Sequence, residues 1–135
     1  MTYAVWMKYD GAQVYRGRRY LRFTFKRDRN HGAQISMDVL GAHMVMVAAL
    51  AEALEIPRVM VIVNAPRRDQ YGINELSEHA KVAHRHFNAI RLAYVNTGGN
   101  IHRIGYITSV MRHLGSGSTR AFTDARQALD WLTQE

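Results

Sequence analysis

Five consecutive apolar residues, Val59-Met60-Val61-Ile62-Val63, follow Pro57 and run into the turn-forming stretch Asn64-Ala65-Pro66. A run of strand length with no polar residue on either side of its pleat cannot face water, so it needs cover above and below. A chain that contains it is committed to layers, with helices packed on both surfaces of a sheet. At 135 residues there is material for one core of this kind but not two, and residues 1–135 read as a single domain.

The remaining segments supply the layers. Tyr3 to Tyr9 alternates Tyr3, Val5, Met7 and Tyr9 against Ala4, Trp6 and Lys8, which is a strand pattern, and Asp10-Gly11 supplies a turn. A short extended piece at Val14-Tyr15 leads to Leu21, Phe23 and Phe25, which alternate with Tyr20, Arg22, Thr24 and Lys26. One face of this second strand is apolar and the other basic, and it is expected antiparallel to the first. Ser36 stands at an N-cap position with Asp38 in the first turn, and a helix follows from Met37 to Leu54, apolar around most of its circumference. Ile73, Leu76, Ala80, Ala83 and Phe87 draw a stripe along a second helix, whose wet face carries Glu75, Glu78, Lys81 and Arg85. A strand from Ile90 to Val95 precedes a helix carrying Ile101, Ile104, Ile107, Met111 and Leu114, which stops at Gly115-Ser116-Gly117-Ser118. Thr119 to Phe122 reads as a short strand, and Asp124 with Gln127 reads as a capping box opening a last helix. The expected fold is α/β: a mixed, largely parallel five-stranded sheet with about four helices, in the order β-β-α-β-α-β-α-β-α.

Composition narrows the chemistry. The absence of cysteine removes disulfides, thiolate catalysis and thiolate-ligated zinc, and makes the reducing cytosol the expected compartment. The N-terminus shows no export signal, and the apolar tract from Val39 to Ala51 is too short to span a bilayer. The net charge of +7 is concentrated, because residues 1–35 hold eight Lys or Arg against two Asp. Such a concentration suits an anionic partner.

The opening hairpin, the stretch GAQISMD from Gly32 to Asp38, the strand RLAYVN and the ending GSGSTRAFTDARQALDWL resemble the SpoIIAA-like group, relatives of the STAS domain. The most specific signature is Phe122-Thr123-Asp124 followed by Ala128-Leu129-Asp130-Trp131-Leu132. The resemblance implies a five-stranded, largely parallel sheet with about four helices, and partner binding in place of catalysis. In STAS regulators a Ser or Thr at the start of the helix after the central strand is phosphorylated to break a complex. Here Asn64 to Leu76 contains neither residue type, so no phosphorylation site is identified. Some SpoIIAA-like proteins also look like lipid carriers, which keeps an apolar ligand or an acidic lipid surface open.

Candidate sites are few. Arg16, Arg18, Arg19, Arg22, Lys26, Arg27 and Arg29 form a basic patch that either guards a sheet edge or meets an anionic partner. Nucleic acid is disfavoured, because strand alternation sends Phe23 and Phe25 to the face opposite Arg22 and Lys26. Met37, Leu40, Met44 and Val47 are candidates for an adaptable apolar pocket or interface, with core packing or a homodimer seam as the plainer reading. Thr97-Gly98-Gly99-Asn100 is a weak anion-binding candidate at a helix N-terminus, and otherwise a turn. His79, His84 and His86 lack the four-residue spacing of helical metal ligands and read as solvated. His43 reads as a hydrogen-bonded core or interface group. No catalytic residue, metal site or cofactor motif is identified, and the expectation is a non-catalytic binding or regulatory module with an unknown protein partner.

Overall fold

The computed structural model describes the backbone of residues 4–9, 12–16, 19–25 and 36–134, with side chains over 19–25 and 36–134. Six strands, β1 (Ala4–Tyr9), β2 (Ala12–Arg16), β3 (Leu21–Phe25), β4 (Arg58–Val63), β5 (Arg91–Asn96) and β6 (Thr119–Phe122), form one sheet in sequence order. β1 and β2, and β2 and β3, pair antiparallel, while β3 to β6 form a run of four mutually parallel strands. The described residues also form four helices: α1 (Met37–Ala53), α2 (Ile73–Phe87), α3 (Ile101–Leu114) and α4 (Ala125–Leu132).

The expected strand count and order are therefore corrected, from five strands to six and from a β-β-α to a β-β-β-α opening. The piece around Val14-Tyr15 is a full strand between β1 and β3, so β3 is not the antiparallel neighbour of β1. Ala12–Arg16 has little apolar alternation of its own, but ladders on both its edges satisfy its backbone groups. The Asp10-Gly11 turn lies outside the described residues.

Strands laid down in sequence order with crossovers of one hand place successive helices on the same face. Leu21, Phe23, Phe25, Val59, Val61, Val63, Leu92 and Tyr94 accordingly pack under α1, α2 and α3. The opposite faces of β4 and β5 put Met60, Ala93 and Val95 against Ala128 and Leu132 of α4. The apolar run of β4 thus has the two-sided cover that its composition demands.

Local signals explain the helix ends. The Ser36 hydroxyl accepts a hydrogen bond from the Val39 N–H and caps α1. Asp124 caps α4 by accepting from the Arg126 N–H at 2.8 Å, an N-cap bond one residue short of the Gln127 N–H that the expected box would use. α4 has no basic residue in its last turn; cations come from the sheet instead. Arg58 donates to the Leu132 carbonyl and Arg91 to that of Gln134, while the Arg91 guanidinium lies 4.4 Å from the centre of the Trp131 ring. These contacts hold the negative end of the helix dipole to the sheet.

Candidate functional site

In open α/β sheets the crevice for ligands lies beyond the carboxyl ends of the strands. Among the described residues that edge carries the β4–α2 loop, residues 64–72, and the β5–α3 loop, residues 97–100. One side chain ties them together. Asn96, 1% exposed at the end of β5, accepts from the Ala65 N–H at 3.0 Å and the Gly98 N–H at 2.9 Å, and donates to the carbonyls of Ala65 and Asn100. Its carboxamide is saturated. Asn100 continues the tie, because its side chain caps α3 at the Arg103 N–H and donates to the Asp69 carbonyl at 2.9 Å.

This stapling redefines the Thr97–Asn100 loop. The N–H groups of Thr97, Gly98, Asn100 and Ile101 donate to Val63, Asn96, Ala65 and Gly99, respectively. These four donors are spent inside the protein, which favours the plain-turn reading of the loop over anion binding. A Cβ at Gly98 would come within 2.6 Å of the Ala65 backbone. Gly98→Ala is accordingly expected to cost about 2 kcal/mol in urea unfolding, through a clash that backbone cannot relieve cheaply.

Beneath the loops lies a buried polar chain that the sequence reading does not contain. His79 on α2, expected to be solvated, is 4% exposed, with Nδ1 3.3 Å from the Met37 carbonyl and Nε2 3.0 Å from the Tyr94 hydroxyl. A carbonyl can only accept, so Nδ1 carries the proton, Nε2 accepts, and Tyr94 donates. Burial lowers the His79 pKa to about 4, helped by the charge of Arg103 and opposed by the Met37 carbonyl. Burial pushes the Tyr94 hydroxyl up to about 12 against the pull of Arg103. Both groups are therefore neutral near pH 7, as this tautomer requires.

Arg103, in the first turn of α3, is 2% exposed. Its guanidinium lies 5.4 Å from the centre of the Tyr71 ring, and Nη1 points at the Met37 sulfur from 3.7 Å. Nε and Nη2 have no hydrogen-bond partner.

The other expected site residues are dispersed. Arg19 is exposed and Arg22 half-buried; Arg16 belongs to β2; Arg18, Lys26, Arg27 and Arg29 lie outside the described residues. Phe23 and Phe25 are 0% and 8% exposed, and both rings pack against His43, which donates to the Val39 carbonyl at 2.8 Å. They offer no surface for a base to stack on. Met37, Leu40, Met44 and Val47 are all buried in the core between α1 and the sheet. The exposed-interface expectation is corrected for these four, which are core residues, because an almost uniformly apolar helix gives no sequence signal of which side meets the sheet. His84 bonds the Ser116 hydroxyl at 2.6 Å, and His86 is exposed. Among the described residues no cluster of three His, Asp or Glu could hold a metal, and no helix is long and apolar enough to cross a membrane.

An open groove of about 630 Å³ separates the C-terminal ends of α1 and α2, with Val45, Ala49, Ile56 and Ala89 in its lining and Glu52 and Arg85 beside them. On the carboxyl edge Ile73 and Ile101, the first residues of α2 and α3, are 69% and 46% exposed, although periodicity placed both on buried stripes. Arg67, Arg68 and His102 are exposed on the same edge. The chain matches no family model, no curated protein and no solved structure.

Proposed function

We propose that this chain is a non-catalytic binding module that docks an acidic protein partner on the carboxyl edge of its sheet. The observation that carries the reading is the pair of exposed isoleucines, Ile73 and Ile101, on the edge that also bears Arg67 and Arg68. Exposed apolar side chains on an edge that also carries exposed cations are the surface chemistry of a selective protein contact, where the charges steer and the apolar groups hold. The Asn96 staple adds preorganisation, since loops fixed to each other lose little entropy when a partner binds. The resemblance to SpoIIAA-like modules favours partner binding independently of this geometry.

The test is charge reversal. Arg67→Glu combined with Arg68→Glu should weaken capture of a native acidic partner by about tenfold or more, and leave urea unfolding within about 0.5 kcal/mol of the parent. Undiminished capture by the double variant would remove the edge from consideration. A second reading, carriage of a small apolar ligand, is supported by the groove beside Val45 and Ile56. Native mass spectrometry after gentle purification separates it from the first, because only a groove carrier retains an apolar small molecule that a bulky substitution in the groove, such as Ala49→Trp, releases.

A further inference from the structure

We propose that Arg103 is the anchor of a buried binding site for a small monocarboxylate with an apolar or aromatic body. A charge taken out of water costs several kcal/mol unless it is paired, and an arginine offers five donors to satisfy. Around Arg103 the protein supplies a thioether, a tyrosine ring and the neutral Tyr94–His79 pair. Among the described residues no carboxylate forms a salt bridge with it. The two donors without a partner, Nε and Nη2, are adjacent on one edge of the planar group. That edge is the one that receives both oxygens of a carboxylate in parallel hydrogen bonds.

The surroundings choose among anions. Arg103 sits in the first turn of α3, which contains no acidic residue, so the guanidinium and the positive end of the helix dipole attract the same negative charge. One cation balances one negative charge. A phosphate dianion would leave an excess charge buried, with no second cation among Met37, Tyr71, His79 and Tyr94 to meet it. The same neighbours are apolar or aromatic over most of their surface, which suits a hydrocarbon or ring behind the carboxylate. Tyr71, whose ring centre lies 5.4 Å from the guanidinium, is itself half-buried. This site lies below the exposed edge and stands or falls independently of docking there.

The probe is benzoate, compared with its neutral isostere benzamide and with inorganic phosphate. Benzoate should raise the thermal midpoint in a concentration-dependent way and shift the Arg103 Nε–H resonance of the unmodified protein, while benzamide and phosphate do neither. Arg103→Lys keeps the charge but not the planar fork, and should weaken benzoate by about tenfold or more. Arg103→Met should abolish binding, with circular dichroism confirming the fold. Absence of a benzoate response at the Arg103 Nε–H would overturn the site even if neither variant folds. A response to phosphate in place of benzoate would overturn the carboxylate assignment, and an equal response to benzamide would overturn the role of charge.

Discussion

Asn96→Ala is expected to lower the unfolding free energy by about 4 kcal/mol, a large part of the stability of a domain this size. The carboxamide makes four hydrogen bonds to backbone from a position 1% exposed. Truncation strands the buried N–H of Ala65 and removes the protein partner of the part-buried Gly98 N–H and Asn100 carbonyl. The Ala65 carbonyl keeps one partner, the Asn100 N–H at 3.1 Å. Each stranded buried group costs about 1–3 kcal/mol. Asn96→Asp separates hydrogen-bond chemistry from volume. It retains the acceptors for Ala65 and Gly98 but turns the donor end into an oxygen facing two carbonyls, so it should destabilise nearly as much at pH 7. Urea titration of both variants at neutral pH measures this, and a loss below about 1 kcal/mol for Asn96→Asp would show that the staple contributes shape alone.

The staple also marks where sequence stops being informative. Asn96 stands at the head of an Asn-Thr-Gly-Gly-Asn stretch whose composition signals a loop, and nothing in that signal distinguishes a solvated asparagine from one that bonds two chain segments 31 residues apart. The layers were legible, because an apolar run that fills both sides of a pleat and helical stripes at spacings of three and four have few physical solutions. β2 was not legible, since its stability comes from neighbours on both edges. Arg103 and His79 were half legible. Arg103 is four residues before Ile107 and His79 three after Leu76, so each falls on the apolar side of its helix. Weighing position above residue type would have buried both, but it would not have released Ile73 and Ile101, which fall on the same stripes and are exposed because they stand first in their helices. Whether a charged group on a buried stripe is satisfied depends on distant elements, here Met37 and Tyr94, and no local pattern encodes that.

The same buried histidine predicts how stability depends on pH. In the unfolded chain His79 titrates near 6.5, and in the folded protein its pKa falls to about 4. Between those values the unfolded chain binds a proton that the folded protein refuses, so stability rises with pH across the window. The contribution is fully present above pH 6.5 and is lost as pH falls toward 4, by about 3 kcal/mol in total. Protonation at Nε2 would break the acceptor that Tyr94 uses and set a second cation beside Arg103, which is why the fold resists it. His79→Gln keeps a polar side chain but cannot titrate. Its unfolding free energy, subtracted from that of the parent, should give an advantage for the parent at pH 7 that disappears by pH 4. Nuclear magnetic resonance of the parent supplies a second reading, since the His79 ring should stay neutral down to about pH 5. Parallel pH profiles for the two proteins, together with a His79 ring that titrates near 6.5, would mean that the imidazole is solvated and that the chain from Met37 through His79 to Tyr94 does not exist in solution.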